Sequence, residues 1–218
     1  KAVVEAGGVV TGDLWIIRAV GAQLDDGELA RLWEDPPPGL RVYDDAAVSA
    51  SGPAAYPETY YPSEVGAAAM HEGGRTGDGV TVAVLDSGIW RNKGPLQRSA
   101  TGREPRVLAQ YDVILAREDP SAYGPPGSEQ YNRDIDDPYG HGTHVSSIIA
   151  SSAVAVTGRY QGVAPGINLV SVKVLDAEGV GRYFDVIRGI QWVVEHRDRF
   201  GIRVMNLSLS GPVRSHYW

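Results

Sequence analysis

The most constraining stretch of this chain is Val80-Thr81-Val82-Ala83-Val84-Leu85, a nearly unbroken apolar run that ends in Asp86-Ser87-Gly88. A strand with one wet face alternates apolar and polar residues. A run that is apolar at both parities needs cover on both faces, the condition met in parallel sheets flanked by helices. Residues 168–174 and 202–209 read as further strands, and 106–113 as a weaker one. Between residues 184 and 199, apolar side chains at 184, 187, 190 and 194 recur at helical spacing, and another helix is expected from near His141 through Val154. Strands alternating with helices predict an α/β fold, a parallel sheet with helices on both faces. The stretch 118–130 is the least regular and is expected to be an exposed loop.

Charge divides the chain. Twenty Lys+Arg stand against 27 Asp+Glu, a net −7, and residues 1–55 hold four basic and nine acidic side chains, so −5 of it lies there. That first part reads as a small α+β unit. It has a strand over residues 13–18, a short helix capped by Asp25 with Leu24, Leu29 and Leu32 on its apolar side, and a strand over 40–43. Pro36 to Pro38 stop the helix. Residues 46–57, rich in Ala, Ser, Gly and Pro, read as a linker. Two units follow, 1–55 and 56–218. The acidic balance argues against a nucleic-acid-binding surface. No apolar run approaches the ~20 residues that span a bilayer, and the opening KAVVEAGGVV lacks the regions of a signal peptide. The chain contains no cysteine, which excludes disulfides, thiolate metal sites and a Cys nucleophile.

Two positions carry chemistry. Asp86 stands just past the apolar strand, where open parallel sheets gather ligands, although a carboxylate there also serves as a simple cap or turn residue. His141 lies in Gly140-His141-Gly142-Thr143-His144, with glycine on either side to admit close approach of backbone or substrate. At the first turn of a helix the dipole disfavours imidazolium, and a carboxylate partner would offset this and orient the ring. His141 and His144 have the i, i+3 spacing of metal ligands, but no Cys or third clustered His completes a zinc site. A structural role is favoured for His144.

VTVAVLDSGIW, DPYGHGTHVSSIIA, QGVAPGINLVSVKVL and VMNLSLSGP, in this order, resemble the subtilisin-like serine proteases over about residues 57–218. The resemblance implies a serine endopeptidase in which Asp86 orients the imidazole and His141 is general base, then general acid. It further implies that Gly179, Val180 and Gly181 offer backbone groups to an extended peptide, added as a β-strand. Ser208, Leu209, Ser210 and Gly211 would form the opposite edge and one wall of the S1 pocket, with Ser210 where the family usually has Gly. Residues 1–55 resemble the later part of the family's N-terminal propeptide, which assists folding and covers the substrate groove. The family also implies secretion. No cofactor is implied.

The resemblance has gaps. The family's Gly-Thr-Ser-Met-Ala motif occurs nowhere in the 218 residues. Ser87 starts no helix, and Ser146 and Ser147 share the helix of His141. The nucleophile is therefore expected outside this chain, which alone should be inactive and need a partner, the remainder of the protease domain or a second copy. Residues 154–160, where the family often holds calcium, lack Asp, Asn and Glu, so no metal is expected there. Asp134, Asp136 and Asp137 are expected to be simply solvated. A non-catalytic peptide-binding scaffold is the competing reading, and a metallohydrolase using His141 and His144 a distant third.

Overall fold

The computed structural model describes residues 1–50, 60–91, 94–102, 104–124, 131, 135–155 and 158–211, with Ser49 and Ala50 described by backbone alone. The chain forms two units, Lys1–Ala46 and Ala47–Trp218. The boundary expected between residues 55 and 56 lies outside the described residues.

In the first unit, α1 (Ala2–Glu5) precedes an antiparallel hairpin of β1 (Val9–Leu14) and β2 (Ala19–Gln23), followed by helix α2 (Asp26–Glu34). The strand expected over 13–18 is displaced toward the N-terminus. Trp15–Ile17 form a 3-10 turn, and Arg18 takes a left-handed φ of 54°, which reverses the chain into β2. At the start of α2 the Asp25 carboxylate accepts from Glu28 N at 2.7 Å, and the Glu28 carboxylate accepts from Asp25 N at 2.8 Å. This reciprocal capping box satisfies two otherwise orphaned amides. Leu14 and Leu32 are buried in this unit. The strand expected over 40–43 is absent. Arg41, Val42 and Tyr43 are exposed and pair with no neighbouring strand.

The second unit opens with β3 (Ala47–Ala50) and the short helices α3 (Tyr61–Glu64) and α4 (Ala67–Glu72). Next come β4 (Thr81–Asp86), α5 (Gly94–Gln97), β5 (Val107–Asp112), α6 (Val113–Glu118) and α7 (His141–Ala150). The last elements are β6 (Asn168–Lys173), β7 (Val180–Arg182), α8 (Tyr183–Phe200), β8 (Ile202–Leu207) and β9 (Leu209–Ser210). Strands β5, β6, β4 and β8 form a parallel sheet in that spatial order. The fold is α/β, as the alternation predicted.

Every residue of β4 is buried. Val82 and Val84 face a core layer with Leu96, Leu169 and Ala150 of α7, while Ala83 and Leu85 face the layer holding Val186, Trp192 and Val193 of α8. This two-sided cover is why the run is apolar at both parities. Helix α7 stops at Ala150, short of Val154. The carbonyl of Ala150 is taken by the guanidinium of Arg106, which also receives the carbonyls of Pro95, Pro165 and Ile167. Arg106 is wholly buried, and burial lowers its pKa to about 10. The strand expected over 202–209 divides at Ser208. Residues 202–207 pair with β4, whereas β9 joins a separate three-stranded sheet. At one edge of this sheet as described, β8 exposes Val204 and Leu207.

The segment expected to be a linker contains β3, which lies between β7 and β9 in that smaller sheet. Small residues are poor strand formers alone, and backbone pairing on both sides overrides the weak propensity. Of the stretch 118–130, residues 125–130 lie outside the described residues. Among the described residues, no helix is long and apolar enough to cross a membrane.

Candidate active site

The carboxyl end of β4 delivers Asp86, whose side chain is 1% exposed, and the N-terminus of α7 delivers His141. His141 Nδ1 stands 2.9 Å from each carboxylate oxygen of Asp86. A ring that donates Nδ1–H to this carboxylate keeps Nε2 as the nitrogen able to take up a proton. Ser87 N also donates to Asp86, at 2.7 Å. Burial pushes the Asp86 carboxyl pKa upward, and the hydrogen bonds from His141 and Ser87 oppose that shift only in part. On the neighbouring strand, Lys173 is the register partner of both Asp86 and Asp112. Its Nζ reaches the carbonyl of Asp136 at 3.4 Å.

Asp137 contradicts the expectation that it is solvated. It is wholly buried and accepts from Gly140 N at 2.9 Å, Thr143 N at 2.7 Å, Thr143 Oγ1 at 2.6 Å and Ser87 Oγ at 2.7 Å. The N-cap of α7 is Gly140, with φ of 84° and no side chain to cap with, so the capping role passes to Asp137. Ser87 Oγ in turn accepts from Gly142 N at 3.0 Å. Asp136, in contrast, is exposed, and Asp134 lies outside the described residues.

The other expected site residues come together as well. Gly179 leads into β7, which contains Val180 and Gly181; β9 contains Leu209 and Ser210, flanked by Ser208 and Gly211. Between the two strands runs β3, antiparallel to both. Ala47 opposes Arg182, Val48 opposes Gly181, and Ser49 opposes Val180 on one side and Ser210 on the other; Ala50 opposes Leu209. Val48 is buried against the face of Gly211, beside Tyr183. Thus the two segments read as the edges of a peptide groove flank an extended segment of the chain itself.

Tyr139 and Val48 went unnoticed in the sequence, and Asp137 was noticed only as a solvated acid. Asp137 and Tyr139 sit within the DPYGHGTH stretch, and their closeness to His141 was the available signal. The Tyr139 ring lies against the α-carbon of Gly179 with its centroid 6.3 Å from that of His141. Val48 carried no local signal, since only its pairing marks it. Ser146 is buried, and Ser147 Oγ donates to Thr143 O at 2.8 Å. Among the described residues, no serine hydroxyl is hydrogen-bonded to His141, and no three His, Asp or Glu side chains are grouped to hold a metal. His144 is half-buried one turn along α7. In the segment 154–160, Val154 and Tyr160 form an isolated antiparallel bridge, and residues 156 and 157 lie outside the described residues.

Comparison with known proteins places the chain among proteases. Subtilisin E of Bacillus subtilis is 30% identical over 213 residues, 97% of this chain and 47% of that protein. Serine protease AprX of the same organism is 33% identical over 139 residues, 62% of this chain and 26% of that protein. Subtilisin DY of Bacillus licheniformis is 40% identical over 139 residues, 64% of this chain and 40% of that protein. The chain thus spans about half or less of the length of these relatives. The sequence model of the subtilase family matches residues 77–216, well over half of the chain. This chain belongs to the subtilase family.

Proposed function

We propose that this chain is the Asp- and His-bearing part of a serine endopeptidase. The observation that carries the reading is the pairing of His141 Nδ1 with both oxygens of buried Asp86 at the carboxyl end of β4. Asp86 holds the ring in one tautomer and stabilises the imidazolium that forms when His141 takes up a proton. His141 Nε2 removes the proton of an attacking serine hydroxyl and later passes it to the leaving amine. No serine of this chain is assigned as the nucleophile. That hydroxyl comes from the remainder of a protease domain.

The substrate class is an extended peptide, bound by backbone hydrogen bonds between β7 and β9 as Ala47–Ala50 are bound. Those residues therefore keep substrate out while they remain in place, consistent with the propeptide resemblance of residues 1–55. Secretion is the location that the family implies.

The test is hydrolysis of a chromogenic peptide by the isolated 218-residue chain and by the complete protein. The isolated chain is expected to be inactive, and the complete protein active with activity abolished by His141→Ala. Turnover by the isolated chain, lost in His141→Ala, would refute the external nucleophile. A complete protein that binds peptide but never cleaves it would favour a peptide-binding scaffold, the reading to which β3 between β7 and β9 lends support.

A further inference from the structure

We propose that Asp137 is a positioning residue that locks the Asp86–His141 pair and favours the imidazolium form of His141. The proposal rests on the reading of that pair as the catalytic one.

The carboxylate of Asp137 accepts four hydrogen bonds from three separate places: the N-cap amide of α7, both donors of Thr143, and the hydroxyl of Ser87 just past β4. Four donors match the acceptor-only pattern of an ionised carboxylate. Among the described residues, no Lys, Arg or His nitrogen lies within ion-pair distance of it. An ordinary helix cap satisfies one or two amides of its own helix. Asp137 does this and also accepts from the Ser87 hydroxyl, whose oxygen accepts from Gly142 N and lies 3.2 Å from Asp86 Oδ1, while Ser87 N donates to Asp86. The strand bearing the acid and the helix bearing the base are thereby bolted to one buried charge.

That charge also has an electrostatic consequence. His141 occupies the first position of α7, where the helix dipole opposes a positive ring. A negative charge on the first-turn amides cancels much of that penalty at the moment the imidazole must hold a proton. Among the described residues, the other titratable or charged groups on the elements around this site are Asp86 on β4, Asp136 and Tyr139 in the loop before α7, His144 on α7, and Lys173 on β6. All are unchanged by substitution at Asp137.

The experiment is NMR titration of His141 in the 218-residue chain, which needs no turnover. Asp137→Asn is expected to lower the His141 midpoint by about half a pH unit or more, the size of a helix-terminus charge effect. Asp137→Glu is expected to recover part of that shift. A folded Asp137→Asn chain with the wild-type midpoint would overturn the proposal. Should Asp137→Asn fail to fold, Ser87→Ala decides. It cuts the link to β4 while leaving the charge on α7, and the His141 Nδ1 proton is then expected to exchange faster with water; an unchanged resonance overturns the proposal. A complete enzyme that hydrolyses peptide, with its His141 midpoint indifferent to residue 137, would sink this inference and leave the peptidase reading standing.

Discussion

The α-carbon of Gly142 lies so close to Gly88 that a β-carbon there would stand 2.2 Å from the Gly88 carbonyl oxygen and 3.1 Å from Asp86 Cβ. This contact is what lets the first turn of α7 reach the end of β4 and set His141 beside Asp86. A glycine in a helix ordinarily costs up to about 1 kcal/mol relative to alanine. Here the sign reverses, because the clash is with backbone that cannot rotate away. Gly142→Ala is expected to destabilise the chain by about 2 kcal/mol or more. Urea denaturation checks this, and a raised midpoint would contradict it.

Asp86 links stability to pH in the opposite direction from a surface carboxylate. Burial raises its folded-state pKa above the ordinary value, so the folded state binds its proton more readily than the unfolded state does. Its contribution to stability is present in full at pH below the unfolded value near 3.8, and is lost as pH rises through the raised folded value. Asp86→Asn is therefore expected to raise the melting temperature at pH 7 relative to wild type and to flatten the dependence above pH 4. Half-buried Asp112 shifts in the same direction, so some dependence remains. In the complete enzyme the same substitution is expected to cost on the order of 10⁴ in rate. Paired melting curves at pH 4 and 7, with kinetics of the complete enzyme, test both halves.

Arg106 holds the amino-terminal side of the large sheet through carbonyls of Pro95, Ala150, Pro165 and Ile167. Removing the guanidinium takes the donor from the Ala150 and Ile167 carbonyls, each worth about 1–3 kcal/mol, while those of Pro95 and Pro165 still accept from Ser152 N and Ala100 N. Arg106→Ala is expected to cost about 3–5 kcal/mol, and Arg106→Lys to recover little, since an ammonium cannot present a planar fork of donors. Denaturant midpoints of the two variants decide the matter. A lysine variant as stable as wild type would show that charge alone suffices.

Val48 fastens β3 between β7 and β9. A carboxylate in its place would be buried without a cation, so Val48→Asp is expected to release the strand rather than unfold the sheet behind it. Hydrogen exchange reads this directly. The Ser49 amide should lose protection while the amides of β4 and β6 keep theirs. An added extended peptide should also bind more tightly to the variant, because its groove is vacant.

Legibility followed the range of the interaction. Residues 80–85, 168–174 and 184–199 were readable because two-sided burial and helical periodicity leave their marks in consecutive residues. Their ends were less so. Helix α7 ends at Ala150, where Arg106, 44 residues away, takes its last carbonyl. The strand expected over 40–43 failed despite good local propensity, because residues 40–43 join none of the sheets among the described residues. Ala47–Ala50 became a strand with only Val48 favouring one locally, since β7 and β9 stand on either side of it.

By itself the sequence determined the α/β class, the position of Asp86 after a doubly covered strand and the glycine-flanked setting of His141. These depend on residue type and short-range pattern. Only the tertiary structure decided that Nδ1 of His141 faces both oxygens of Asp86, that Asp137 is buried among four donors and not solvated, and that Ala47–Ala50 lie between β7 and β9. Each of these brings together residues at least 50 positions apart in the chain, or depends on such a contact, and closure over that distance is settled by packing rather than by any local preference.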